Sequence, residues 1–215
     1  MPLNFTFAYF KNNYKSLIIS TNGYVLFSTS SQCCPLVRPA LSNSIPALNY
    51  DLTTLKGNGT IYYKYLNSTV ASSQSEMSAI KSDVNRVNPT FVPLYAFKIT
   101  FSSVQAFKSS SLLASFQVVL STNSLSYFVT LKYTSCLGNV TLLSTPGLNY
   151  IDLKGLLAVV PITNPCTSSN VNLTGTWVFD VTNVKGIRFL FWVAFGAFVV
   201  KTLKKKLNSI HIKNQ

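Results

Sequence analysis

The 215-residue sequence predicts a mainly β fold: an antiparallel β-sandwich or barrel-like sheet with one short amphipathic helix, plus a C-terminal apolar helix. Three observations carry that expectation. Short apolar runs rich in Val, Tyr and Phe recur between turn residues, and β-branched and aromatic side chains fit a pleated, half-buried surface. Only 11% of the residues are charged, while 13% are aromatic, so Ser and Thr take over much of the surface. A single stretch shows helical rather than alternating apolar spacing.

Residues 5–9 alternate and then meet a turn at Lys11-Asn12-Asn13. Residues 17–20 make a strand ending at Asn22-Gly23, a dipeptide suited to the positive-φ positions of a tight hairpin, and residues 24–28 are its partner. Gly57-Asn58-Gly59 marks a turn ahead of a strand over 60–65. Long strands follow over 95–101, 115–121 and 127–133, the last two joined by a turn at Asn123-Ser124. Strands over 156–161 and 176–181 bring the set to about nine, which suits a sandwich. In the last of these Trp177 and Phe179 share a face, as core residues do. Between 72 and 87, Met77, Ile80, Val84 and Val87 fall at helical spacing. Asn88-Pro89 stops that helix, because a residue before proline avoids the helical region. Residues 28–44 and 161–172 are expected to be loops.

The net charge of +13 divides unevenly. Residues 1–184 hold eleven Lys/Arg and all five acids (Asp51, Glu76, Asp83, Asp152 and Asp180), a net +6, while residues 185–215 hold seven Lys/Arg and no acid. The expected organisation is therefore a β domain over 1–184 and a basic tail over 185–215. The cations of the body are scattered singly, so nucleic acid is not an expected partner. In the tail, the run FLFWVAFGAFVV at 189–200 is twelve apolar residues. As a helix it spans about 18 Å, short of the roughly 30 Å of a hydrocarbon core. Extended to 187–203 it gains Arg188 and Lys201 as flanks, with Lys204, Lys205 and Lys206 beyond as a cytoplasmic stop. A membrane span there and a buried helix are the two readings of that segment. Met1-Pro2-Leu3-Asn4 has no feature of a signal peptide, so the sequence is expected to be a fragment of a longer secreted protein.

Four cysteines, Cys33, Cys34, Cys136 and Cys166, suit two disulfides in an oxidising compartment. Closing Cys33 on Cys34 requires a strained vicinal ring, so each is expected to bond Cys136 or Cys166; buried free thiols are the alternative. Five N-glycosylation sequons occur, at Asn4, Asn58, Asn67, Asn139 and Asn172. With 19 Asn, 27 Ser and 20 Thr in the chain, about 4 are expected by chance, so the sequons permit an extracellular protein without establishing one.

Residues for chemistry are scarce. His211 is the only histidine and lies in the tail, which removes Ser-His and Cys-His nucleophile systems from the body. No metal is expected, because the cysteines lack a C-x₂-C spacing. No cofactor is expected either, because there is no P-loop and no G-x-G-x-x-G. A carboxylate pair drawn from Asp51, Asp152 and Asp180 is the one enzymatic alternative, a hydrolase; capping a turn or pairing with lysine is the plainer role for each. Tyr62, Tyr63 and Tyr65 around Lys64 invite a base-stacking reading, against which stands a strand with one aromatic face in the core and one outside.

The ordered series of segments resembles the NIDO domain family. NFTFAYF at 4–10 and LIISTNGYVLF at 17–27 resemble that family's F-x-F strand and V-S-x-N-G-Y-I-x-F hairpin. IPALNYD at 45–51 resembles I-A-P-F-W-x-D, and GTIYYK at 59–64 resembles G-x-V-Y-Y-R. YAFKITFSSV at 95–104, FQVVLST at 116–122, YFVTLKY at 127–133 and NLTGTWVFDV at 172–181 match later strands in the same order. Departures mark a divergent member: Leu48 and Asn49 stand where aromatics are usual, Phe101 replaces a Trp, and Asn123-Ser124 replaces Asp-Gly. The resemblance covers about 4–182 and implies an extracellular module of nidogen-, tectorin- or membrane-mucin-like proteins, associated with cell–matrix adhesion and without a catalytic site. It implies a matrix or cell-surface protein as partner, and membrane contact only through 187–203.

Overall fold

The computed structural model describes residues 1–27, 43–48, 50–54, 59–107, 109–137, 146–151 and 157–183. In chain order its strands are β1 (Pro2–Tyr9), β2 (Asn12–Ser20), β3 (Tyr24–Phe27), β4 (Ser44–Pro46), β5 (Leu52–Thr53), β6 (Thr60–Asn67), β7 (Tyr95–Ala106), β8 (Ser109–Thr122), β9 (Tyr127–Ser135), β10 (Gly147–Ile151), β11 (Leu157–Pro161) and β12 (Thr176–Asp180). One helix, α1 (Gln74–Val84), lies between β6 and β7. The first sheet runs β1-β2-β3-β4-β10-β11. The second runs β12-β9-β8-β7-β5, with β6 also paired to β7. All pairings are antiparallel. The expected strands are present, and β4, β5 and β10 are additional.

The core between the sheets takes alternate residues from each. Phe97, Ile99 and Phe101 of β7, Val118 and Leu120 of β8, and Val129 and Leu131 of β9 face Phe7, Leu17, Val25 and Ile45 of the first sheet. Trp177 and Phe179 join them, as their shared face predicts. Some of the intervening residues of the second sheet are apolar too. Ala96, Val119, Phe128 and Val178 form a separate cluster with Leu66 and Phe91, and α1 covers it with Met77, Ile80 and Val84. Burying each of those three helix side chains contributes about 1.5–3 kcal/mol.

The helix ends three residues earlier than its apolar spacing predicts. Asn85 is its C-cap, and the amides of Val87 and Asn88 both donate to the Val84 carbonyl, turning the chain toward Pro89. Val87 is consequently exposed rather than core. The first hairpin also shifts by a residue. Tyr9 pairs Asn12, so the turn is Phe10 (φ 48) and Lys11 (φ 73), a mirror-image turn whose twist matches its strands. Packing holds bulky Phe10 in that conformation: its ring stacks on Tyr150, centroids 3.9 Å apart, and its amide donates to the Val181 carbonyl at 2.8 Å.

The second hairpin turn is a docking point. Asn22 and Gly23 sit in the loop closed by Ser20 and Tyr24. Their carbonyls accept from Tyr50 at 3.2 Å and Leu48 at 3.1 Å, and the Asn22 side-chain oxygen accepts from the Leu52 amide at 3.3 Å. Gly23 has φ +78, and a Cβ there meets Leu52, Leu48 and Phe116 at 3.2–3.3 Å. The N-G-Y and I-P-A-L-N-Y-D segments are thus two halves of one joint.

Two buried tyrosines tie distant strands together, Tyr9 within the first sheet and Tyr133 between the sheets. The Tyr9 hydroxyl bridges the carbonyls of Ser44 at 3.0 Å and Asn149 at 3.1 Å, where β4 and β10 share a single register pair. Tyr133 of β9 reaches across the core and donates to the Ala47 carbonyl. Burial pushes both phenols above the ordinary tyrosine value, with Tyr14 and Tyr150 adding to the effect at Tyr9.

Cys136 bonds Cys166, with a Cα–Cα distance of 6.1 Å, rather than Cys33 or Cys34 as expected. The reason is topological: β9 and β12 are neighbours, so residues flanking them meet. Cys33 and Cys34 lie outside the described residues, as do the tail over 185–215 and its expected apolar helix. Among the described residues no helix is long and apolar enough to cross a membrane.

Two outcomes are expected. The fold keeps Tyr9 and Tyr133 protonated while the unfolded chain ionises near pH 10, so stability is intact below about pH 10 and falls above it, by about 1.4 kcal/mol per pH unit for each phenol. Urea unfolding across that range measures the slope, and Tyr133→Phe lowers it. Gly23→Ala costs about 1–3 kcal/mol through its strained φ and its close neighbours; an unchanged denaturation midpoint contradicts the joint.

Candidate functional site

Among the described residues, Asp51 and Asp180 do not assemble a catalytic pair. Asp51 precedes β5 and Asp180 ends β12, and these strands are the two ends of the β12-β9-β8-β7-β5 path. Four strand spacings put them roughly 19 Å apart across the sheet, beyond the reach of a glycosidase-type carboxylate pair. The Asp180 carboxylate instead accepts from the Thr182 amide at 2.9 Å, capping its own turn. Asp152 lies outside the described residues. Glu76 and Asp83, both on α1, pair with lysines of the second sheet. Glu76 accepts from Lys64 of β6 at 2.7 Å and from Lys98 of β7, and Asp83 accepts from Lys132 of β9 at 2.9 Å. These pairs seat the helix. Among the described residues no cluster of His, Cys, Asp or Glu is placed to hold a metal.

The surface that stands out is β6. It pairs with β7 along its whole length, from Thr60 opposite Ser102 to Asn67 opposite Tyr95. No strand among the described residues pairs with its other edge. Tyr62 and Tyr63 are 57% and 55% exposed there. Tyr65 behaves as the core-facing reading expects: it is half-buried, packs on Phe97 and donates its hydroxyl to the Pro2 carbonyl. Tyr63 shares that face but lies beyond the cover that Tyr65 receives, so its ring only flanks Phe97, at 5.8 Å. Both neighbouring tyrosines therefore meet solvent, which local alternation alone does not predict.

With Lys64, Lys98 and Thr100, the two tyrosines line a shallow depression of about 290 Å³. Lys64 and Lys98 share one carboxylate, Glu76, so the patch is locally cationic. Burial, and then the ammonium groups of Lys64 and Lys132, hold Lys98 below the ordinary lysine value. An exposed tyrosine ring beside a partly buried cation, on a strand whose outer edge no described strand pairs, is suited to holding a polypeptide.

Three of the five sequons are described. Asn4 is exposed within β1, in the stretch where the register with β2 shifts. Asn67 ends β6, and Asn172 (φ 56) is exposed in the loop before β12. Asn58 and Asn139 lie outside the described residues.

A search of curated proteins and a search of solved structures each return no match. A scan against family models matches the nidogen-like domain (NIDO) over residues 15–145, more than half of the chain. The segments at 4–10 and 172–181 fall outside that range, yet β1 and β12 complete the same two sheets. The joint between the Gly23 turn and residues 48–52 lies within the matched range and explains two of its motifs physically. The chain belongs to the nidogen-like domain family, an extracellular module of nidogen-like proteins.

Proposed function

We propose that this chain is a non-catalytic extracellular adhesion module that binds a protein of the matrix or of a cell surface through the outer edge of β6. Membership of the nidogen-like domain family is the observation that carries the reading. The Cys136–Cys166 disulfide supports it, since such bonds persist in oxidising compartments. The contact surface rests on Tyr62 and Tyr63, because exposed tyrosines supply large contact area at low entropic cost and recur among binding hot spots. The edge of β6 that no described strand pairs offers main-chain hydrogen bonds to an added strand, and Lys64 and Lys98 favour a partner with acidic residues. A second reading rests on the apolar run at 189–200 with its basic flanks: a surface protein anchored through 187–203.

Secretion behind a supplied signal peptide tests the location, with residues 1–184 and the full chain compared. Both are expected to leave the cytosol; retention of the full chain in membranes alone supports the anchor. Purified protein coated on a surface is expected to hold cells, and Tyr62→Ser with Tyr63→Ser is expected to lower attachment at least tenfold, the cost of about 1.4 kcal/mol in binding. Both side chains are largely exposed, so the melting temperature stays within a few degrees. Undiminished attachment removes β6 from the contact surface.

A further inference from the structure

The second sheet's helical face carries two sequons at its two ends. At the first end, the chain leaves β6 through Asn67-Ser68-Thr69 and enters α1. The Asn67 side-chain oxygen accepts both the Thr69 amide and the Thr69 hydroxyl at 3.0 Å. The turn is held by the Val70 amide on the Asn67 carbonyl at 3.1 Å and by the Gln74 amide nitrogen on the Ser68 carbonyl. Only the oxygen of the Asn67 amide is engaged. At the second end, Val171 packs beneath α1 with Met77, Ile80 and Val84, and Arg86 donates to the Val171 carbonyl at 3.4 Å. Asn172 and Thr174 follow, both exposed. Asn170 is locked by two hydrogen bonds to Val178, at 2.7 and 2.9 Å, which fixes the loop while Asn172 stands out of it.

The same asparagine turn occurs a third time beside the helix, at Asn88-Pro89-Thr90. The Asn88 oxygen accepts the Thr90 amide at 3.3 Å and its hydroxyl at 3.0 Å. Here the middle residue is proline, the one residue a sequon does not allow. The local geometry repeats that of Asn67, and the sequence removes it from modification.

We propose that Asn67 and Asn172 carry N-linked glycans that bracket α1, and that Pro89 keeps the matching turn at Asn88 bare. This rests on the extracellular reading above, since the donor is an oligosaccharide carried on a lipid diphosphate in the secretory pathway. In the transfer, the asparagine Nδ2 forms a bond to the sugar C1, the C1–O bond to the diphosphate breaks, the lipid diphosphate departs, and the amide proton passes to a base of the transferase. α1 has eleven residues, so the two glycans stand about 16 Å or more apart and screen the helix between them. Tyr62 and Tyr63 lie five and four residues from Asn67 along β6, about 17 and 13 Å away.

The test is secretion of the full chain behind a supplied signal peptide, with gel mobility read before and after removal of N-glycans. Asn67→Gln and Asn172→Gln are each expected to lose one glycan step and the double variant two. Pro89→Ser is expected to gain one step. A parent that is secreted and glycosylated, but whose mobility neither Asn67→Gln nor Asn172→Gln changes, overturns the assignment while leaving the extracellular reading intact. Loss at one position alone overturns the bracketed face. Absence of the gain in a secreted Pro89→Ser chain overturns the role given to Pro89. A parent that enters the secretory pathway and carries no glycan at all overturns the assignment at both positions, whereas a parent that fails to enter it sinks the extracellular reading itself.

Discussion

The second sheet has two faces to bury, and the rest of the architecture follows from that demand. Its central strands send Phe97, Ile99, Val118, Val129 and Leu131 to one side and Ala96, Val119 and Phe128 to the other. A single opposing sheet satisfies the first set only. The helix between β6 and β7 satisfies the second, so the molecule has three layers rather than the two of a plain sandwich. The acids of α1 then have little choice of partner. Lys64, Lys98 and Lys132 come from the sheet beneath, and Glu76 and Asp83 meet them at the helix margin. Each ion pair is worth little alone at partly exposed positions, but together they fix which way round the helix lies.

Long central strands were legible in the sequence because alternation over many residues leaves few other readings. Residues 95–101, 115–121 and 127–133 all lie inside longer observed strands. The helix was legible from Met77, Ile80 and Val84, and its end was misplaced because Val87 fits the spacing but follows a cap made by backbone geometry. The strands β4, β5 and β10 were not legible. Two to five residues hold too little pattern, and these exist because distant segments pair with them: Leu52 with Ala106, Asn149 with Ser44. The disulfide partner of Cys136 was illegible for the same reason, since it depends on β9 and β12 being neighbours.

The surface told a different story from the core. Tyr62, Tyr63 and Tyr65 look alike in sequence, yet one is anchored by its hydroxyl and two face water. What separates them is where the opposing layer stops, a property of the whole fold. The acids, by contrast, behaved as their scarcity suggests: most of those described serve a cap or a lysine. The resemblance of short motifs to the nidogen-like family proved to have a mechanical basis in one place, where the Gly23 turn and residues 48–52 are hydrogen-bonded to each other across a long stretch of chain.

The disulfide stands at the neck of an excursion. After β9 the chain leaves the second sheet, contributes β10 and β11 to the first, and returns for β12. Cys136 lies at the departure and Cys166 at the return, 30 residues apart. In a chain pulled from its two ends, load crosses from one sulfur to the other and bypasses everything between. About 100 Å of contour is thereby withheld from extension. The strands β10 and β11 are out of the line of force, and only reduction of that bond would put them into it.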